Sequence, residues 1–414
     1  MAASFPKHTG PILMKTNRLF FSFLVMTSLV TQAQEADAPS FGKGIFNLVG
    51  KDSTWSMKIG ARMQLLSIAS WNEGADGGLI NPEQSFLVRR ARLKFDGFAY
   101  SPKLKYKIEL GLSNRDISGA STFTGDAPRY ILDAVVMWNF HENFELWFGQ
   151  TKLPGNIERV ISSGNLQQVD RSLLNSRFTI DRDVGFQLRH HFNLTEKFLI
   201  REKLAFSQGE GRNVVSGNLG GHQYTARVEL LPFGLFASNG EYTGSDQDRE
   251  EKPKLMLAAT YDTNQNAVKN RSNQGSYMVN DIGFFETDIN IVFLDAMFKY
   301  RGFSLMGEYA HRTATDPIAK NADGTLTGDL VEVGDGLNLQ TGYLFKTNWE
   351  VSGRFTNIKL NKDITGRNPQ KQYTLGLSKY IVGHKLKVQT DLSYLSENAG
   401  RDELMYRLQV DVHF

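Results

Sequence analysis

A period of two runs through this chain from about residue 54 to its end. Trp55, Met57, Ile59, Ala61, Met63 and Leu65 alternate with Ser56, Lys58, Gly60, Arg62 and Gln64. Leu104 to Leu110, Tyr224 to Leu230 and Trp349 to Phe355 repeat the pattern. Alternation over about ten residues gives an extended chain one apolar and one polar face. About sixteen such segments can be read, near 54–67, 86–100, 103–113, 130–140, 144–150, 184–192, 197–207, 222–231, 254–262, 288–300, 303–311, 336–345, 348–358, 371–380, 385–395 and 403–414.

The links between them keep a rhythm. Short ones, such as Ser101-Pro102, His141-Glu142-Asn143, Arg301-Gly302 and Lys346-Thr347-Asn348, take turns with long polar ones at 68–85, 114–129, 151–183, 208–221, 263–287 and 312–335. The link at 232–253 breaks the rhythm, being long and acidic on the short side; its run SDQDREE (245–251) lacks calcium-loop spacing and is expected to be a solvated connection. Short turns at one end and long loops at the other characterise outer-membrane barrels. Aromatics gather beside the short turns: Tyr100, Phe140, Phe144, Phe192, Phe198, Tyr300, Phe303, Phe345, Trp349 and Tyr380 are expected at one membrane–water boundary. The last segment places Tyr406, Leu408, Val410, Val412 and the terminal Phe414 on one face. A soluble sandwich also alternates, but lacks the rhythm and the girdle. The reading is all-β: a transmembrane antiparallel β-barrel of about 16 strands over 54–414, in the outer membrane and its lipid.

Before the barrel, a short basic region after Met14 (Lys15, Arg18) leads into an apolar run from Leu19 to Val30 and then Thr31-Gln32-Ala33. At about 12 residues the run is short for a membrane span, and its order is that of a cleaved secretory signal. A signal peptide over 1–33, with its start at Met14, and an N-terminal periplasmic segment over 34–53 are therefore expected. The leader holds Lys7, Lys15 and Arg18 and no acid, which accounts for the whole formal charge of +3. A mature chain of zero net charge is not built for nucleic acid.

Charge location says more than the sum. In VRRARLKFDGF (88–98), Arg90, Arg92, Lys94 and Asp96 share one side of the strand, and Ala91, Leu93, Phe95 and Gly97 the other. With the apolar stripe toward lipid, the cations face a lumen wide enough to keep them hydrated without partners. Parity turns Lys58, Arg62, Arg90, Arg92, Lys94, Lys105 and Lys107 inward on the first three strands as one basic wall, with Arg189 and Arg227 further round. The inward acids Asp96, Glu109, Asp133, Glu145, Glu229, Glu350, Asp391 and Asp411 are scattered; a bland reading has the cations merely balance them. Parity points Arg89 outward unless a bulge turns it.

The link 151–183 is long for a loop and carries Ile157, Val160, Ile161, Leu166, Val169, Leu173 and Leu174. Such a loop must pack somewhere, and folding into the lumen as a constriction is economical. Lys152, Arg159, Arg171, Arg177 and Arg182, with Ser162, Ser163, Ser172, Ser176 and Thr179, would then favour anions at the narrowing. No zinc-protease, nucleophile-elbow, phosphate-loop or cysteine metal motif is present, so no catalytic residue, metal or cofactor is expected. GEGRNV (209–214) is half a dinucleotide fingerprint without its third glycine, and His190 and His191 point to opposite faces.

The runs FGQTKLPGNIERVISSGNLQQVDRSLLN, FLVRRARLKFDG and KYRGFSLMGEY (299–309) resemble the phosphate-selective porin O and P family, in the form common among Bacteroidetes. The resemblance spans the mature chain. It implies a sixteen-stranded homotrimeric barrel with infolded loops and arginines along an anion path, Arg89 and Arg90 matching the double arginine of the second strand. The function expected is passive diffusion of small anions, phosphate or related oxyanions first, along Arg62, Arg90, Arg92, Lys94, Lys105, Lys107, Lys152, Arg159, Arg171, Arg177 and Arg182. The rival readings are a general, weakly selective porin, a closed barrel serving as surface adhesin or scaffold, and an outer-membrane hydrolase.

Overall fold

The computed structural model describes residues 39–414 except 75, 120, 127, 216 and 398–401; the expected signal peptide lies outside them. Sixteen strands form the barrel: β1 (Trp55–Glu73), β2 (Leu79–Ala99), β3 (Ser101–Gly111), β4 (Ile131–His141), β5 (Phe144–Lys152), β6 (Arg182–Asn193), β7 (Leu199–Ser207), β8 (Gln223–Leu231), β9 (Lys254–Ala267), β10 (Thr287–Tyr300), β11 (Phe303–Ala314), β12 (Gly334–Leu344), β13 (Trp349–Leu360), β14 (Gln370–Val382), β15 (Leu386–Ser396) and β16 (Glu403–His413). Each pairs antiparallel with the next, and β16 closes on β1 from Arg62↔His413 to Asn72↔Glu403. Below that seam the edge of β1 is not left bare. A short strand, Phe46–Val49, within the expected 34–53 segment, pairs with Ser56–Ile59, and the Phe41 ring meets the terminal Phe414 ring edge-on at 5.9 Å.

The alternation read from the sequence places the sixteen strands but understates several of them. β1 and β2 reach Glu73 and Leu79, so the link read as 68–85 is mostly a hairpin of paired strand. The links 263–287 and 312–335 likewise hold small hairpins, Lys269–Arg271 with Gln274–Tyr277 and Ile318–Lys320 with Leu326–Leu330. Beyond the hydrocarbon both strand faces tolerate polar residues, so backbone pairing continues where alternation fades. Outside, Leu188, Leu204, Leu257, Leu294, Leu375 and Leu392 stand exposed as the lipid face. Tyr100, Phe140, Phe303, Phe345 and Trp349 are exposed near the short turns, but Tyr380 is not: it shares the inward face of β14 with Thr374 and Ser378, is buried, and donates to Glu350 at 2.6 Å.

The loop between β5 and β6 crosses the lumen and is tied to the far wall. Asp295 of β10 accepts from the Ile157 N–H at 3.0 Å, and Glu308 of β11 accepts from the Glu158 N–H at 2.8 Å, satisfying the free donors at the start of the short helix Ile157–Val160. At the apex, Gln167 donates to Glu350 (2.7 Å), Gln168 to Ser352 (3.0 Å), and Lys387 reaches the Leu166 carbonyl (2.9 Å). Ser172 caps a second helix, Leu173–Phe178, accepting from the Asn175 N–H at 3.2 Å. The expected apolar face is real: Ile157, Ile161, Leu166, Val169 and Leu174 are buried, joined by Phe178 and Ile180. Phe178 and Leu174 pack on Ile289, Ile291, Phe293 and Ile358, lumen-facing apolar residues of β10 and β13. Lumen glycines make the seats: a Cβ on Gly336 would stand 2.8 Å from the Phe178 ring, and one on Gly342 or Gly376 2.2 or 2.5 Å from the amides of Gln167 and Gln168.

The link 232–253 also turns inward rather than remaining a solvated connection. Ser245 and Asp246 are buried; Asp246 accepts from the Gly302 N–H at 2.7 Å, the Ser245 carbonyl accepts from Lys299 at 2.7 Å, and the Gly244 N–H reaches Asn165 of the loop at 2.8 Å. Its acids serve as acceptors: Asp246 and Glu250 take backbone N–H groups, and Glu241 takes Arg201.

Replacing Phe178 by alanine should remove about 3–5 kcal/mol of loop anchoring. In limited trypsin digestion of the refolded barrel, Arg159, Arg171 and Arg177 should become cleavable in the variant and stay protected in the parent. Equal protection of the two would mean that the polar ties alone hold the loop.

Candidate functional site

The double arginine of β2 is set by a bulge. Gln64 of β1 pairs with Arg90, but the next residue, Leu65, pairs with Val88, so Arg89 has no partner across the ladder. An extra residue breaks the period of two, and both guanidiniums turn into the lumen. They are buried and converge on Asp170 of the loop: Arg89 binds one carboxylate oxygen, Arg90 the other at 3.3 Å, while Arg90 also donates to Gln64 at 2.7 Å. Burial opposes ionisation of Asp170, but Arg89 and Arg90 outweigh it and hold the carboxyl well below the usual carboxylate range.

Because the loop leans on β10–β15, open space remains against the basic wall. An outer cavity of about 460 Å³ lies toward the long loops and an inner one of about 620 Å³ toward the short turns. Arg92, Lys152 and Arg182 line both. These three cations mark the junction, and each is fixed. Arg92 pairs with Glu109 (2.9 Å) and Asp116 (3.1 Å), and Arg182 with Asp133 (3.0 Å), which also holds Lys107 at 2.6 Å. Lys152 donates to the carbonyls of Arg159, Val160 and Ile161 at 2.8, 3.1 and 3.2 Å, closing the end of the short helix.

The outer cavity is lined by twelve Arg and Lys side chains and by three acids, Asp116, Asp170 and Asp181. Arg159 pairs with Asp181, Arg177 with Glu332 at 3.5 Å and Arg407 with Asp391 at 2.7 Å. Arg171 spends its donors on the carbonyls of Glu158 (2.9 Å) and Ile161 (2.7 Å), Arg212 on those of Arg129 and Asp116, and Arg271 on that of Ser176. Carbonyls orient these guanidiniums without cancelling their charge. The crowding is visible in their acidity: burial and then Arg129 push Arg212 down to about 9, and burial followed by Arg171 and Arg182 presses Arg159 well below the usual arginine range.

Of the eleven residues expected along the path, Arg90, Arg92, Lys152, Arg159, Arg171, Arg177 and Arg182 line the outer cavity, and Lys107 joins the inner one. Arg62 lies under the loop, donating to Ser163 at 2.7 Å. Lys94 and Lys105 reach neither cavity; Lys94 pairs with Asp96 at 2.9 Å, and Lys105 stands opposite Phe98 near the short turn. Arg90, Arg92 and Lys94 therefore all have partners, contrary to the expectation from lumen width alone: the infolded loop brings Asp170 to Arg90, the next strand brings Glu109 to Arg92, and Asp96 of the same strand meets Lys94.

The profile of the phosphate-selective porin O and P family matches residues 72–403. The chain belongs to this family. It is an outer-membrane porin, a non-enzymatic channel for small solutes. An anion-selective porin from Comamonas acidovorans superposes with a TM-score of 0.50 at 12% identity, over 87% of this chain and all of that one. OprB of Pseudomonas putida superposes with the same TM-score at 10% identity, over 86% of this chain and 94% of that one. At such identities the likeness is one of fold. Among curated proteins, none matches the sequence.

Several cationic residues of this porin escape a reading by parity. Arg89 needs the bulge, while Arg115, Arg212 and Arg271 stand in polar loops without periodicity. GEGRNV is such a loop: Gly209 and Gly211 have φ of +104° and +86°, and a Cβ at either would meet Asn264 or the Asn273 carbonyl within 2.7 Å. Its tight course delivers Arg212 to the cavity. Asp170→Asn frees Arg89 and Arg90 of their shared acid, and the reversal potential in a potassium chloride gradient should move further toward chloride. No movement would show that the pair lies off the conducting path.

Proposed function

We propose that this porin passes small anions by passive diffusion, with phosphate or a related oxyanion as the preferred solute. The excess of cations over acids around the outer cavity carries the reading. Fixed like charges in a narrow, low-dielectric passage raise the local concentration of counter-ions and exclude co-ions. Guanidinium N–H edges match the oxygens of an oxyanion, and Ser172, Ser176 and Thr179 in the same lining add polar contacts. The family's description and the anion-selective porin of similar fold support the same choice. A zero overall charge is no obstacle, since selectivity follows the charge beside the solute.

An anion entering from outside would meet Arg115, Arg212 and Arg271, pass Arg89, Arg90 and Arg171, and reach the junction at Arg92, Lys152 and Arg182. The acids that grip the junction cations keep them in place and soften their attraction, so that binding stays weak enough for release. The working unit is a homotrimer in outer-membrane lipid, as the family resemblance implies.

Reversal potential in a planar bilayer, followed by phosphate titration into chloride, tests this. Arg212→Glu combined with Arg271→Glu should carry the potential toward cation preference, whereas Lys94→Glu combined with Lys105→Glu should shift it much less. Low phosphate should block the chloride current. Ohmic, weakly selective current without block would leave a general porin, and no current would favour the closed barrel.

A further inference from the structure

The two cavities differ in chemistry. The outer one has few apolar side chains, Leu132 and Leu173, among its many cations. The inner one has seven Arg and Lys side chains against four acids, and its wall includes Trp147, Leu153, Pro154, Val160 and Tyr242. Inorganic oxyanions gain nothing from that apolar wall.

Arg189 sets the character of the inner cavity. Its guanidinium lies over the Trp147 ring, 3.5 Å from the centroid, and donates to Gln187 at 2.7 Å. Among the described residues no carboxylate lies within ion-pair range and no protein group accepts from its Nη1, while its Nε is buried without a partner. A guanidinium stacked on an indole keeps its N–H edge in the ring plane, free to meet an oxyanion, and keeps its charge. Across the cavity, Tyr242 is brought in by the infolded link 232–253 and held by Glu229 and by Lys203 at 2.8 Å. The pieces are a free cationic edge, a clamped phenol ring and the apolar surface of Pro154 and Leu153, within 620 Å³.

The geometry points to a second binding station in the inner cavity for organic anions that carry a carboxylate or phosphate on a planar apolar body. The anionic group meets the Arg189 edge, and the planar body lies along Tyr242, Pro154 and the exposed rim of Trp147. This goes beyond the oxyanion preference of the outer cavity and rests on the channel being open. It gives the irregular link 232–253 a role, since that segment supplies Tyr242.

The test uses the full chain reconstituted in a planar bilayer, with phenyl phosphate and methyl phosphate added to the short-turn side and single-channel current recorded. Phenyl phosphate should block at about tenfold lower concentration than methyl phosphate, the difference expected for one ring packed on aromatic and apolar surface. Arg189→Gln and, separately, Tyr242→Leu should raise the concentration of phenyl phosphate needed for block severalfold, while block by inorganic phosphate added from the long-loop side stays as in the parent. Heat-resistant migration of the unboiled barrel, like that of the parent, certifies that each variant has folded; if Tyr242→Leu fails this, Arg189→Gln alone decides. Equal block by the two esters, or block by phenyl phosphate indifferent to Arg189→Gln, overturns the inner station. A channel without anion preference in salt alone would instead overturn the reading of the outer cavity, and the ester comparison would remain legible.

Discussion

Backbone N–H and C=O groups cannot be left unpaired in hydrocarbon, where each costs several kcal/mol. The closure of β16 on β1 meets that demand, and the rest of the molecule follows from it. β1 is longer than the strand that closes on it, and Phe46–Val49 takes over where β16 ends. With the backbone committed to a ring of strands, side chains alternate between lipid and lumen except where a bulge intervenes, as at Arg89, and any charged residue on the inner face needs water or a partner.

The lumen then divides into two unlike walls. One, from β10 to β15, offers apolar side chains, glycine gaps and carboxylates that accept backbone N–H groups, and the loop after β5 settles into it. The other, from β2 to β7, carries most of the strand cations that line the two cavities and stays open. Burying fully the side chains of Ile157, Ile161, Leu174, Phe178 and Ile180 supplies about 1.5–3 kcal/mol each, enough to order a loop that would otherwise cost much conformational entropy. Seating the loop on the apolar wall is therefore what leaves the passage beside the basic one.

The strands, the links and the apolar loop face were legible because each follows from a period or a length. Trp55 to Leu65 alternates, residues 151–183 are too long for a turn, and Ile157, Ile161 and Leu174 mark a face that needs covering. The cationic site was legible only in part. Arg90, Arg92 and Arg182 follow from parity or from the loop, whereas Arg89 depends on a bulge that no spacing announces. Arg212 and Arg271 come from loops whose courses are set by contacts far away in sequence. Lys94 and Lys105 share the parity of Arg90 and Arg92 but lie too near the short turns to reach the cavities, because depth along a strand is invisible to parity.

The sequence by itself determined a sixteen-stranded barrel, which face of each strand meets lipid, and that the loop after β5 must bury an apolar face; alternation, link length and the cost of exposed apolar surface are local properties of the chain. Tertiary structure decided which cations share a cavity and which acids hold them. Asp170 meets Arg89 and Arg90, and Arg189 meets Trp147, only once the ring has closed and the loop has crossed it. Such pairings depend on distances between residues far apart in the chain, and those distances exist only in the folded barrel.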